Sequence, residues 1–301
     1  MERKKALGIG CAIAAAVIYG VTPILGKLTY GEGSNTMTLT FFRSFFSFPV
    51  LFLMLKLRGQ KIGVSRRDLL TMIVLGFLGA FATGLMLYGA YNYISVGLTT
   101  CMHNIYPVLV ALASVLIFRD KISGSKIVAL ILALAGLWTI LAGDMTLHAA
   151  GVALALGSGV AYAAYILLMD KSGMRRLDPF LISFYMCCSA SVFLFVFGTA
   201  THQITYGLTP KGWFFTFLMA MFVSVLANSL IPLAVKHVGP TVTAILGMFE
   251  PVVALGMGIL FLHEHLTFRS GVGCALVIVA VILLTVEKDP AAEKPDAGAA
   301  Q

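Results

Sequence analysis

The sequence predicts an all-α membrane protein of ten transmembrane helices, arranged as two inverted five-helix repeats. Three observations carry that expectation: the composition, the placement of basic residues between apolar runs, and a self-match at a shift of about 144 residues. Of 301 residues, 59% are hydrophobic and only 11% are charged. A soluble domain carries roughly a quarter of its residues as charge to cover its surface. The patterning then decides how so apolar a chain is accommodated.

Apolar runs recur near 6–26, 36–56, 69–90, 96–118, 126–143, 150–169, 180–200, 212–235, 240–262 and 268–286. A helix of about 20 residues crosses the ~30 Å hydrocarbon core. Helices satisfy their own backbone in lipid, which segments joined by such short loops must do. Barrel strands would be about half as long and would alternate polar with apolar residues. The opening Met1-Glu-Arg-Lys-Lys resembles a secretory leader. Ala6 to Leu25 is nevertheless long enough to span, and reads as a retained first helix.

Orientation follows from Lys and Arg. With the N-terminus placed in the cytoplasm, seventeen of the 21 fall on inside segments. Lys27, Lys211 and Arg269 fall outside, and Arg43 lies within a span. That bias satisfies the positive-inside rule. It predicts a multi-pass cell-membrane protein with both termini cytoplasmic, in a bacterial inner membrane. The net charge of +8 sits in these loop clusters, and no polar domain exists to carry nucleic acid, so none is expected as a partner. Residues 287–301, rich in Ala, Pro and charge, read as a disordered cytoplasmic tail. The five cysteines (Cys11, Cys101, Cys187, Cys188 and Cys274) lie in apolar runs without metal or disulfide spacing, and read as packing residues.

The repeat divides the chain into 6–143 and 149–286. Ile94-Ser-Val-Gly-Leu-Thr-Thr aligns on Val238-Gly-Pro-Thr-Val-Thr-Ala, Pro107 on Pro251, and Asp120 on Glu264. Gly8, Ala12, Ala16 and Gly20 fall on Gly151, Ala155, Gly159 and Ala163, and Tyr19 on Tyr162. A small residue every fourth position makes a smooth helix face for close packing in lipid. Five spans per half is an odd number, so the second half crosses in the opposite sense. Inverted halves of this kind allow a site between them to face either side.

These residues resemble a known family. Each half carries a Pro in its fourth span, followed thirteen residues later by an acid and then x-[Ile/Leu]-[Ser/Thr]. The instances are Pro107 with Asp120-Lys-Ile-Ser, and Glu250-Pro251 with Glu264-His-Leu-Thr. Together with Arg43 in the second span, they resemble the EamA-type permeases of the drug/metabolite transporter superfamily. Asp120 stands where Glu is more usual. The resemblance implies a secondary transporter working by alternating access, with spans one to four of each half around a central cavity and spans five and ten packed together. It further implies export of small organic metabolites such as amino acids, coupled to protons or to exchange. The expected partners are thus a small-molecule substrate and the lipid bilayer, with no cofactor and no metal.

Charge inside a membrane costs about 2.5–3.5 kcal/mol on insertion scales, so each instance is a candidate for function. Glu250 lies about ten residues into span nine, or ~15 Å deep at ~1.5 Å per residue. It either binds a cationic group or a proton, or is a structural carboxylate satisfied by its neighbours. Arg43 either grips a substrate carboxylate in two-pronged fashion, or snorkels or ties helices together. His103 and Asn104 precede Pro107 and serve as helix–helix hydrogen bonders or as a proton relay. Asn228 is of the same kind. Tyr19, Tyr162, Tyr165 and Tyr185 are expected to line the cavity. Tyr88, Tyr91 and Tyr93 read as an interfacial belt.

His263-Glu264-His265 looks metal-like, but histidines two apart on a helix face different ways. The triplet reads as a polar helix end, as does its repeat mate Arg119-Asp120-Lys121. A membrane-embedded enzyme is the alternative class, but it needs a nucleophile–base pair or metal cluster that the sequence lacks. A receptor or structural protein would leave the inverted halves unexplained. No G-x-x-x-x-G-K-[ST] loop is present to support an ATP-driven pump.

Overall fold

A computed structural model of the chain describes residues 2–94, 96–120, 122–141, 148–262 and 268–286. The tail at 287–301, the His263-Glu264-His265 triplet and Lys121 lie outside the described residues.

The described residues are helical nearly throughout. After α1 (Glu2–Gly31), the side chain of Asn35 accepts from the Thr38 amide at 2.8 Å and starts α2 (Thr36–Leu57). Ser65 does the same for α3 (Arg66–Gly76), accepting from the Asp68 amide at 3.2 Å. Side-chain caps of this kind satisfy amides that the first helical turn leaves open. The rod continues through a π-helical stretch, Phe77–Ala82, into α4 (Thr83–Ala90). Next come α5 (Val96–His103), α6 (Tyr106–Leu116), α7 (Gly124–Leu141) and α8 (Ala149–Lys171). Asp178 caps α9 (Pro179–Ala200) and Thr209 caps α10 (Pro210–Met219), each with Pro in the first helical turn. Proline suits that place because its missing N–H is not needed there. A second π stretch, Ala220–Ala227, joins α10 to α11 (Asn228–Gly247), and α12 (Glu250–Leu262) and α13 (Phe268–Val286) follow.

Six of these rods are long and apolar enough to cross a membrane: Arg3–Gly31, Thr36–Leu57, Arg66–Ala90, Ala149–Lys171, Pro179–Ala200 and Pro210–Gly247. Tyr106–Leu116, Gly124–Thr139 and Gly271–Leu284 are shorter apolar helices. The chain is a multi-pass helical membrane protein.

Two of the expected spans are not single rods. Span four breaks after His103 and resumes at Tyr106; span nine breaks after Gly247 and resumes at Glu250. The cause is a proline four residues beyond each break, Pro107 and Pro251. Proline lacks the N–H that would bond the carbonyl four residues back, and its ring clashes with that carbonyl. The expected spans eight and nine, in turn, follow each other directly across a kink, with no longer loop between them. The bend between them is at Gly239 (φ 81°, ψ 170°), a backbone shape open to glycine because it has no Cβ.

The helix pairings cross between the halves. Helix α1 packs on α11 and α12, α8 packs on α4, α5 and α6, α2 on α9, and α7 on α13. The small-residue faces make the close approaches. A Cβ at Gly20 would lie 2.8 Å from the Glu250 carbonyl oxygen, and one at Gly159 would lie 2.7 Å from that of His103. A Cβ at Gly136 would meet the Gly273 carbonyl at 2.6 Å, so α7 and α13 touch nearly backbone to backbone.

One end of the bundle is tied by charge. Lys171 pairs with Asp120 at 2.7 Å, Arg176 with Asp68, and Arg175 with Asp170. Two of these pairs join the α8–α9 connection to the first half. At the other end the Asn35 amide donates to the Gln203 carbonyl at 2.7 Å, and Thr209 donates to Glu32.

Candidate functional site

The irregular backbone converges on one cavity. It is lined from α1 by Ala12, Ala16, Tyr19, Thr22 and Pro23, and from α2 by Arg43. Gly79 of the first π stretch and Thr83, Gly84, Leu87 and Tyr88 of α4 form another wall, with Tyr91 beyond. His103 and Tyr106 flank one helix break, and Gly247 and Glu250 flank the other. Tyr162, Val223, Asn228 and Ile231 complete the lining. Non-helical backbone is tolerated at membrane depth where it is enclosed by protein or borders a cavity. Both breaks and both π stretches meet that condition.

Arg43 is 6% exposed. It donates to the Tyr88 hydroxyl at 3.0 Å, and its guanidinium carbon lies 5.4 Å from that ring's centroid. Among the described residues its Nε has no hydrogen-bond partner. Among the described residues no carboxylate comes within ion-pair distance of it. A buried cation without a counter-ion is expensive. The Arg43 side chain faces the cavity, and its bond to Tyr88 also ties α2 to α4.

Glu250 occupies the first turn of α12, beside Pro251. A helix N-terminus carries open amides and partial positive charge, which favours a carboxylate there. The break thus makes this depth tolerable for Glu250 while leaving the side chain in the cavity.

The remaining wall is aromatic. The rings of Tyr106 and Tyr162 meet edge to face at 4.8 Å, and His103 lies 5.4 Å from each. The Tyr106 hydroxyl donates to the Ala244 carbonyl at 3.2 Å, and a Cβ at Gly247 would collide with it. The Tyr19 hydroxyl donates to Asn228 Oδ1 at 2.8 Å and joins α1 to α11 across the cavity. His103 Nδ1 lies 2.9 Å from the Ser158 hydroxyl.

Of the residues singled out from sequence, Tyr19, Arg43, His103, Tyr162, Asn228 and Glu250 come together here. Three others sit elsewhere. Asn104 is fully buried in the break and donates to the Thr100 carbonyl at 2.8 Å, turned away from the cavity. Tyr165 is 2% exposed, packed in the core behind Gly79. Tyr185 donates to the Ile62 carbonyl at 2.8 Å and pins the α2–α3 loop. Tyr88 and Tyr91, expected at the membrane interface, line the cavity instead, because α4 turns that face inward. Tyr93 is 48% exposed and stacks on His148, as suits an interfacial ring. Tyr106 was not anticipated, although it aligns with Glu250 under the repeat and precedes Pro107 as Glu250 precedes Pro251.

A helical membrane protein enclosing a polar, aromatic-walled cavity at paired helix breaks has the architecture of a solute transporter. Comparison with known proteins agrees. The model of the EamA-like transporter family matches residues 6–142 and 149–286, and the chain belongs to that family. The chain is 26% identical to an uncharacterized transporter of Bacillus subtilis, YetK, over 98% of this chain and 90% of that protein. It is 24% identical to an uncharacterized transporter of Archaeoglobus fulgidus, over 92% and 95% of the two chains. A solved crystal structure superimposes with a TM-score of 0.80 at 13% identity, covering 93% of this chain and 98% of the other, which speaks to the fold alone.

Proposed function

We propose that this membrane transporter is a secondary exporter of small organic metabolites carrying a carboxylate, amino acids among them. The observation that carries the reading is Arg43: a buried cation, unpaired with any described acid, that faces a central cavity holding Glu250 as its membrane-embedded carboxylate. A substrate carboxylate would supply the missing counter-charge at Arg43. Glu250 would take a cationic group or carry the coupling proton.

Alternating access of two inverted five-helix halves, 6–143 and 149–286, would move the site between faces. Several correspondences support this. The π stretches begin at Phe77 and Ala220, and the resumed helices begin at Tyr106 and Glu250, each pair at the repeat shift. The packing of α1 on α11 and α12 mirrors that of α8 on α4, α5 and α6. Two similar halves threaded in opposite senses have inward-open and outward-open states of similar energy. On the charge bias, both termini would be cytoplasmic in a bacterial inner membrane.

The test is uptake into proteoliposomes of a labelled amino-acid and organic-acid panel, with and without a pH gradient. Accumulation of a carboxylate-bearing solute, and its exchange for unlabelled solute inside, is expected. Failure of every carboxylate solute, with uptake of neutral ones intact, would remove Arg43 from the substrate site.

A further inference from the structure

We infer that His103 is a specificity-determining residue: Ser158 locks its ring so that Nε2 faces the cavity as a fixed hydrogen-bond acceptor, which reads an N–H or O–H group on the solute. The inference rests on the cavity being the transport site, and it adds a requirement that the Arg43 and Glu250 charges do not impose.

The argument is proton counting. A serine hydroxyl has one proton to donate. The Ser158 hydroxyl donates to the Ala155 carbonyl one turn back on α8, at 2.6 Å. A carbonyl oxygen can only accept, and of the two acceptors near this hydroxyl it is the closer, so the proton is assigned to it. The same hydroxyl lies 2.9 Å from His103 Nδ1. With its proton so assigned, Ser158 accepts there, and Nδ1 carries the hydrogen. A neutral imidazole bears one N–H, so Nε2 keeps its lone pair.

Orientation is fixed as well. His103 ends α5 at the helix break, and its ring lies 5.4 Å from both Tyr106 and Tyr162. A Cβ at Gly159 would meet the His103 carbonyl at 2.7 Å, so α8 holds the residue at close range from its backbone side too. His103 is buried, 5% exposed, and lines the cavity.

The Arg43 and Tyr88 end of the cavity offers the opposite chemistry. Tyr88 accepts from Arg43, which leaves its own hydroxyl proton to donate. That end is therefore a donor pair suited to an anion, and His103 is an acceptor suited to a donor. A solute lacking the donor would leave Nε2 desolvated and unpaired, a loss of about tenfold or more in affinity.

Two measurements test this. In protein labelled with nitrogen-15 histidine and held in lipid nanodiscs, long-range proton–nitrogen correlation spectra report which ring nitrogen is protonated, with the signal assigned by its loss in His103→Gln. A protonated Nδ1 and bare Nε2 are expected, shifting toward the other tautomer in Ser158→Ala. An Nε2–H ring, or one protonated at both nitrogens, overturns the proposal. The second measurement is proteoliposome uptake of alanine against its N,N,N-trimethyl betaine, which keeps both charges and lacks any N–H. Wild-type protein should prefer alanine at least tenfold in kcat/KM, and His103→Leu should cut the preference to less than threefold. An undiminished preference in His103→Leu overturns the proposal. Lack of uptake of every amino acid would instead strike the transport reading, and the tautomer would still decide whether the acceptor exists.

Discussion

The guanidinium of Arg43 donates to the Tyr88 hydroxyl across 3.0 Å, while its Nε meets no partner among the described residues. The pair joins α2 to α4 and turns two donors toward the cavity. A Cβ on Gly84 would crowd the Thr40 methyl at 3.0 Å and meet the nearer guanidinium nitrogen at ordinary contact, 3.5 Å.

Arg43→Ala should raise the KM of a carboxylate-bearing solute about ten- to a hundredfold, the worth of a hydrogen bond to a charged group. Tyr88→Phe removes a neutral partner and should cost only a few-fold. Initial uptake rates in proteoliposomes separate the two, and equal effects would mean that the phenol, not the charge, holds the solute.

Glu250→Gln keeps the side chain's shape and removes its charge. If Glu250 carries the coupling proton, uptake by this variant should lose its dependence on an imposed pH gradient while counterflow exchange continues. Unchanged gradient-driven accumulation would assign the proton to another group.

Tyr19→Phe and Asn228→Ala each break the 2.8 Å bond between α1 and α11. Interhelical hydrogen bonds in membranes average about 0.6 kcal/mol in double-mutant cycles. The coupling between these two substitutions, read from unfolding in detergent, should be of that order. A value near zero would show that the bond matters for the cavity's shape and not for stability.

Gly20→Ala places a methyl group 2.6 Å from Val253 Cβ and 2.8 Å from the Glu250 carbonyl oxygen. Overpacking of that kind costs about 1–3 kcal/mol. Gly10, on the same helix, has open space where its Cβ would stand. There the same change should be neutral, or stabilising by up to about 1 kcal/mol through helix propensity. Thermal unfolding of the two variants side by side checks the contrast.

The ion pairs differ in burial. Lys171 and Asp120 are 31% and 40% exposed, so Asp120→Asn should cost less than about 1 kcal/mol, and less still in high salt. Asp68 is 9% exposed and also receives the Ser65 hydroxyl at 2.7 Å. Asp68→Ala should cost about 0.5–1.5 kcal/mol, the net worth of its hydrogen bonds, since the exposed Ser65 and Arg176 donors return to water. Salt-dependent melting curves distinguish the two.

Much of the site could be read along the chain, for one reason: a polar or charged residue inside an apolar run is conspicuous. Arg43, His103, Asn228 and Glu250 stand out that way, and all four reach the cavity. Tyrosines do not stand out, since the same residue serves an interface, a core or a cavity equally well. Tyr165 and Tyr185 were expected in the cavity and lie in the core and beneath a loop. Tyr88 and Tyr91 were expected at the interface and lie in the cavity. Asn104 follows His103 directly, and one step along a helix turns a side chain by about 100°, away from the cavity.

The apolar runs, the charge bias and the internal repeat were set by sequence alone, because bilayer thickness and backbone satisfaction act on each segment independently of its neighbours. The breaks at His103 and Gly247 were latent in Pro107 and Pro251, since proline acts on its own helix. What only the tertiary structure decided was which face of each helix turned inward and which partner it met. Arg43 finds Tyr88, Tyr19 finds Asn228, and Ser158 finds His103 across 45, 209 and 55 residues of chain. Such meetings depend on how helices rotate and cross as they pack, and in lipid that is settled by close fit at glycines and by hydrogen bonds between distant segments.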